Sequence, residues 1–329
     1  MNQSHKFIPT ALKGAAMGVA EVIPGVSGGT IAFITGIYET LLNAIKSFSP
    51  KLIGTFKEGG VKSVWSEING FFLVSLLCGM VVGLIGGLFG VSYLLENFPL
   101  LVWGFFFGLI LGSSLYVGRQ IPKWGLTEIV CMIVGAVVAF GITMLTPASG
   151  NEALWFVFLS GVIAISAFML PGLSGSFMLL LLGMYKFITG DILKEGVLEN
   201  QDPKALLIFF VFALGCLTGV TTVSRLLSWT FKNYRFPTLA LLTGFMLGSL
   251  NKVWPWRQAT LGMTEEGQVV EITKGMQVDK VLKEVGLLPN NYADLVGDPQ
   301  IIGVIVTIVL GFVLVFALDK MSNNEPHAT

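Results

Sequence analysis

Long apolar stretches free of charge alternate with short polar ones along nearly the whole chain. A helix needs about 20 consecutive apolar residues to cross the hydrocarbon core. Residues 68–95, 97–118, 129–151 and 299–318 meet that length, and 205–224 does so and runs on past Arg225 to 231. Residues 236–251 are short but suffice if their ends adjust to the bilayer. Two further stretches are interrupted. One runs over 14–38, carries Glu21 and is cut by Pro24-Gly25-Val26-Ser27-Gly28-Gly29; the other runs over 153–185 and is cut by Pro171-Gly172-Leu173-Ser174-Gly175. Proline removes a backbone donor and clashes with the preceding turn, glycine admits turns that other residues resist, and serine can cap a new helix. The pattern therefore predicts whole spans plus two broken helices.

The two broken segments match each other. A shift of 147 residues superposes Gly14 on Gly161, Pro24 on Pro171, Gly25 on Gly172, Ser27 on Ser174, Gly28 on Gly175, Gly36 on Gly183 and Tyr38 on Tyr185. Downstream the shift is 136, aligning Gly79 and Gly83 with Gly215 and Gly219, and Gly108, Gly112 and Ser113 with Gly244, Gly248 and Ser249. Such self-similarity is the mark of an internal repeat.

Charge orients the copies. Lys46, Lys51, Lys57 and Lys62 follow the first broken segment, Arg119 and Lys123 follow two more spans, and Lys232 and Arg235 follow the long fourth one. Basic loops mark the cytoplasmic side. Residues 191–202 hold four acids against one lysine and are expected outside. This works only if each broken segment enters and leaves on one face, which inverts the second copy relative to the first, a plan shared by many secondary transporters. The predicted fold is all-α: a polytopic membrane protein with two inverted repeats, each a broken re-entrant hairpin plus transmembrane helices. Repeat 1 covers 1–125 (hairpin about 7–46, spans about 68–95 and 97–118). A linking transmembrane helix covers 126–151. Repeat 2 covers 152–251 (hairpin about 153–190, spans about 205–231 and 236–251). An external loop follows over 252–298, with at most a short helix near 278–288, and then a last span and tail over 299–329, with both termini cytoplasmic.

Composition agrees: 53% of the 329 residues are hydrophobic and 12% charged, about half the charged share of a soluble domain. Lys and Arg balance Asp and Glu at 20 each, and no basic run points to nucleic acid. Cys78, Cys131 and Cys216 lie in apolar runs without metal-binding spacing, and His5 and His327 lie in polar tails, so no cofactor, metal or His-based catalytic set is expected. Residues 1–13 are polar and unlike a cleavable signal. The tryptophans and tyrosines near span ends, Trp254 and Trp256 among them, fit interfacial belts.

In lipid, irregular backbone survives only where protein or a watery cavity surrounds it. Half-helices starting near Ser27 and Ser174 would aim N–H groups at the interior, where they could hold an anion, phosphate above all; the plainer alternative is a pair of packing kinks. The candidate phosphate-binding set is Ser27, Gly28, Gly29, Thr30, Ser174, Gly175, Ser176 and Arg225. A guanidinium suits phosphate, although Arg225 is close enough to the span end to snorkel instead. Glu21, whose repeat partner is Phe168, could couple a cycle to protons or form an ion pair with Lys13 or Arg225.

From Lys13-Gly14 through Glu21-Val22-Ile23-Pro24-Gly25-Val26-Ser27-Gly28-Gly29-Thr30 to Gly36-Ile37-Tyr38-Glu39, and again at Pro171-Gly172-Leu173-Ser174-Gly175-Ser176, the chain closely resembles the DUF368 family of bacterial membrane proteins. The resemblance extends to about residue 320. It implies a location in the bacterial cytoplasmic (inner) membrane. It also implies a flippase for polyprenyl phosphate, chiefly undecaprenyl phosphate, returning the spent lipid carrier to the inner leaflet for cell-envelope synthesis. Partners would be that lipid and the bilayer, with the oligomeric state open. A polyprenyl-diphosphate phosphatase is the enzymatic alternative, but glycine (Gly28, Gly175) stands where its Pro-Gly-x-Ser-Arg-Ser motif has arginine. A transporter of a small soluble anion is the other alternative.

Overall fold

A computed structural model describes residues 4–22, 27–263, 269–272 and 280–323. Its helices are α1 (Ser4–Glu21), α2 (Gly28–Ile34), α3 (Tyr38–Ser47), α4 (Lys51–Glu67), α5 (Gly70–Asn97), α6 (Pro99–Arg119), α7 (Leu126–Met144), α8 (Leu154–Met169), α9 (Gly175–Leu181), α10 (Pro203–Asn233), α11 (Arg235–Ser249), α12 (Pro289–Leu295) and α13 (Ile301–Asn323), with a π-helical segment over Phe187–Glu199. Five of them, α5, α6, α7, α10 and α13, are long and apolar enough to cross a membrane. The chain is thus a mainly helical, polytopic membrane protein. At 15 residues, α11 is shorter than a full span, about 22 Å. It lies inside the molecule, with Leu239, Ala240, Leu242 and Met246 all buried.

The outer helices carry their apolar side chains outward. Val82 and Phe89 of α5, Val137 of α7, Phe210 of α10 and Ile302 of α13 are more than half exposed. In water such a continuous apolar surface would be a liability; against lipid it is the matching surface.

Helices are joined by close backbone contact at glycines. A Cβ on Gly79 or Gly83 of α5 would lie 1.9 or 2.0 Å from the carbonyl oxygens of Ala11 or Ala15 in α1. In the second copy, Gly215 and Gly219 of α10 meet Phe158 and Val162 of α8 in the same way, at 2.2 and 2.7 Å. These contacts are related by the two sequence shifts. A third equivalence goes beyond the expected repeats. Gly108 of α6 faces the Ile308 carbonyl of α13 and Gly244 of α11 faces the Met132 carbonyl of α7; Gly311 and Gly135 return the contact onto Phe105 and Leu241. So α7, expected as a mere linker, and α13, expected as a terminal addition, pack equivalently on equivalent helices.

Two stretches between the spans depart from the elements expected of them. Residues 51–67, read as a loop, form helix α4, kinked at Gly60 and with no buried residue. Within 252–298 lies a three-stranded antiparallel sheet in the order β2-β1-β3, with β1 Arg257–Met263, β2 Val269–Glu271 and β3 Lys280–Gly286. The described part of the helix expected near 278–288 is strand β3, paired to β1, and the short helix α12 follows it. Trp254 and Trp256 are staples for this sheet. Their indole nitrogens donate to the Leu287 and Pro299 carbonyls, each at 2.8 Å, and Trp256 is buried against Leu100 and Val304. Glu284 bridges Lys252 at 3.3 Å and Arg257 at 3.2 Å. Burial holds the Lys252 amine below the usual lysine range, and Glu284 opposes that shift.

The glycine contacts predict a contrast on one helix. Gly79→Ala should destabilise the protein by about 1–3 kcal/mol through overpacking, whereas Gly86→Ala, with open space around it, should be neutral. Thermal unfolding of the detergent-purified variants measures the difference.

Candidate functional site

The two broken segments meet and bond to each other. Ser27, fully buried, precedes α2 in extended backbone and accepts the Gly29 N–H at 3.1 Å. Its hydroxyl lies 3.2 Å from the Phe168 carbonyl and 3.4 Å from that of Leu170. Tyr38, buried at the start of α3, donates to the Met169 carbonyl at 2.8 Å. In return the Gly172 N–H donates to the Thr30 hydroxyl oxygen at 3.0 Å. The last carbonyls of a helix have no partner within it; those ending α8 receive hydroxyls from the other copy.

Both motifs are built alike. Ser174 precedes α9 in extended backbone, accepts the Phe177 N–H at 3.4 Å and shares a hydrogen bond with Ser176 at 3.0 Å. Both short helices end at a glycine with φ +71°, Gly36 and Gly183. At these ends the N–H groups of Gly36 and Ile37 return to Phe33 and Ala32, and those of Gly183 and Met184 to Leu180 and Leu179, the usual stop for a helix. Gly172, at φ +86°, lets the second turn pack directly on the α11 backbone, where a Cβ would lie 2.8 Å from the Cα of Met246. The first motif's Pro24-Gly25-Val26 turn lies outside the described residues.

Glu21 ends α1 and turns back to α2, where its carboxylate accepts the Gly28 N–H at 2.5 Å. Among the described residues it forms no ion pair, so neither Lys13 nor Arg225 is its partner. The counterpart of this contact places Gly175 against Phe168, which leaves the site chemically asymmetric. α2 and α9 have seven residues each, and the N–H groups of Gly28, Gly29 and Phe177 are already bonded to the chain's own oxygens. They are not the free donors expected from sequence; an anion reaching Gly28 would have to displace Glu21.

Ser27, Gly28, Gly29, Thr30, Ser174 and Gly175 are all buried, with Ser176 partly so. Arg225 stands apart: it is exposed on α10 and has no ion-pair partner among the described residues. Tyr38 and the Thr30–Gly172 bond are features that reading for chemistry missed; the Tyr38–Tyr185 identity was the available signal.

A protein family described as undecaprenyl phosphate translocase-like matches residues 17–270, which include both motifs. The chain belongs to this family. Curated relatives share most of its length. A polyprenyl-phosphate transporter of Vibrio cholerae serotype O1 is 41% identical over 319 residues, covering 97% of this chain and 98% of its own. A polyprenyl-phosphate transporter of Staphylococcus aureus is 30% identical over 267 residues, covering 77% and 88%. No solved structure matches. The resemblance to DUF368 seen at the motifs therefore holds over residues 17–270.

The interlock itself is testable. Thr30→Val leaves the buried Gly172 N–H without an acceptor and should cost about 1–3 kcal/mol; Thr30→Ser, which keeps the oxygen, should restore most of it. Thermal unfolding of the two variants decides.

Proposed function

We propose that this protein carries a polyprenyl phosphate, undecaprenyl phosphate in the first instance, between the leaflets of the bacterial cytoplasmic membrane without chemical change. The observation that carries this reading is the 41% identity to the Vibrio transporter over 97% of the chain, with both motifs included. The lipid would be returned to the inner leaflet for envelope synthesis.

The two copies are read as inverted repeats with re-entrant hairpins. Support comes from helix direction. Successive contacts of Gly244 and Gly248 fall on Met132 and Ala136, so α7 runs parallel to α11. α6 passes into α7 through six residues; if both cross the membrane, α6 and its repeat equivalent α11 run in opposite directions. The basic residues favour a reading with both termini in the cytoplasm. In this reading α7 and α13 are matching outer walls, so the second copy takes in the helix drawn from sequence as a linker and the first takes in the last span.

In this reading the phosphate binds at the junction of the motifs, among Ser27, Gly28, Gly29, Thr30, Ser174, Gly175 and Ser176. Arg225 meets it on the way. The isoprenoid chain stays in lipid between helices, and the two repeats rock about the junction. Glu21 and the phosphate compete for the Gly28 N–H. Proton uptake by Glu21 would remove the competing charge and free that donor, which links the cycle to protons.

The test is leaflet exchange of labelled undecaprenyl phosphate in proteoliposomes, with release of inorganic phosphate from the diphosphate followed in parallel. Wild type should accelerate exchange and release nothing. Ser27→Ala with Ser174→Ala should slow exchange at least about tenfold, as expected for lost hydrogen bonds to a charged group. Glu21→Gln should flatten the pH dependence. Absence of exchange by folded protein would reject the lipid reading, and phosphate release would turn it into a hydrolase.

A further inference from the structure

We propose that the groove between α3 and α10 is a docking site for a polyprenyl monophosphate, with the phosphate in its basic end and the isoprenoid chain along its apolar end. This rests on the function proposed above and adds a headgroup site separate from the motif junction.

The basic end is a cleft of about 470 Å³ lined by Glu39 and Lys46 of α3, Ser228 and Lys232 of α10, and Arg235 of α11. Its apolar floor is Leu42 and Phe231, both buried. Arg235 holds Glu39 at 2.9 Å, so Lys46 and Lys232 are left as the unpaired cations among the described lining residues. Three cations against one carboxylate leave an excess of about two charges, matching a phosphate monoester near neutral pH.

Ser228 supplies the independent observation. On the same helix, the hydroxyls of Thr218, Thr221, Ser224 and Thr230 each donate to a carbonyl of α10 itself, the usual solution in lipid. Ser228 lines the cleft, and its hydroxyl oxygen is buried with no hydrogen-bond partner among the described residues. A buried polar atom left unbonded is costly; turned about its Cα–Cβ bond toward the cleft, the hydroxyl would donate to a phosphate oxygen there.

Further along α10 lies a second, more open groove of about 510 Å³, formed by Phe48, Pro50 and Leu52 against Leu217, Thr218 and Thr221. As α3 and its continuation run from 39 to 52, the facing residues of α10 run from 232 back to 217, so the two elements are antiparallel. With their hydroxyls turned to the helix, the threonines present methyl groups. Residues 218, 221, 225, 228 and 232 fall at helical spacing on one face of α10, which puts the exposed Arg225 between the two compartments. Residues 218 to 232 span about 21 Å of helix. A basic pocket followed on one face by an arginine and an apolar trough open to the side is the shape of a single-chain phospholipid, and a soluble anion has no use for the trough.

The experiment uses full-length protein in nanodiscs of zwitterionic lipid and undecaprenyl phosphate with a photoactivatable diazirine in its chain. Cross-links should fall on residues 48–52 and 217–221. Lys46→Ala with Lys232→Ala should weaken binding at least about tenfold, since each removes a charge-assisted contact. Ser228→Ala should weaken it several-fold without lowering thermal stability, because the hydroxyl bonds nothing in the free protein. Undecaprenol should not compete. Wild-type exchange with unchanged affinity in these variants, and cross-links elsewhere, would refute the groove and leave the proposed function standing. Inorganic phosphate binding as tightly as the lipid would refute the lipid assignment. Neither binding nor exchange by folded wild type would remove both.

Discussion

Backbone that leaves the helix inside hydrocarbon must find hydrogen-bond partners within the protein, and everything at the centre of this molecule follows from how that demand is met. Where α8 ends, its last carbonyls have no partner within the helix. Hydroxyls of Ser27 and Tyr38 satisfy carbonyls ending α8, and Thr30 accepts the Gly172 N–H. One copy thereby completes the other. These polar groups do double duty: they permit the break, and they gather buried donors and acceptors at the contact between the two motifs.

Around this junction the helices approach through glycine rather than through large interlocking side chains. Lipid gives no hydrophobic drive between helices, so close backbone packing supplies the attraction. That explains why the same contact recurs at Gly79 and Gly215, and at Gly108 and Gly244. Glu21 breaks the equivalence. Its carboxylate sits where the second copy has an aromatic ring, so the two halves of the junction share geometry but differ in charge.

Much of this was readable in the sequence because backbone needs leave strict marks. Only certain residues allow a broken helix, so Pro24-Gly25 and Pro171-Gly172 stood out, and glycines at matching offsets disclosed the repeat. Bonds between distant hydroxyls and carbonyls leave no such mark: Thr30 and Gly172 are 142 residues apart. The sheet over 257–286 was missed because its strands are short and polar, and its anchors, Trp254 and Trp256, carry the same signature as tryptophans at a membrane interface. The burial of α11 was hidden too, since an apolar helix looks the same to sequence whether it meets lipid or protein. The half-helix termini were legible, but not that Glu21 and Ser27 already occupy their donors.

The pairing of α13 with α6 has a consequence for how the protein is made. The second copy receives its outer wall, α7, before its own core is synthesised. The first copy must wait for its wall until α13 has been made, after the whole of the second copy. Until then the glycine-lined face of α6 lies bare in the bilayer, open to any passing helix. A chain stopped before α13 would therefore hold one half with its wall and one without.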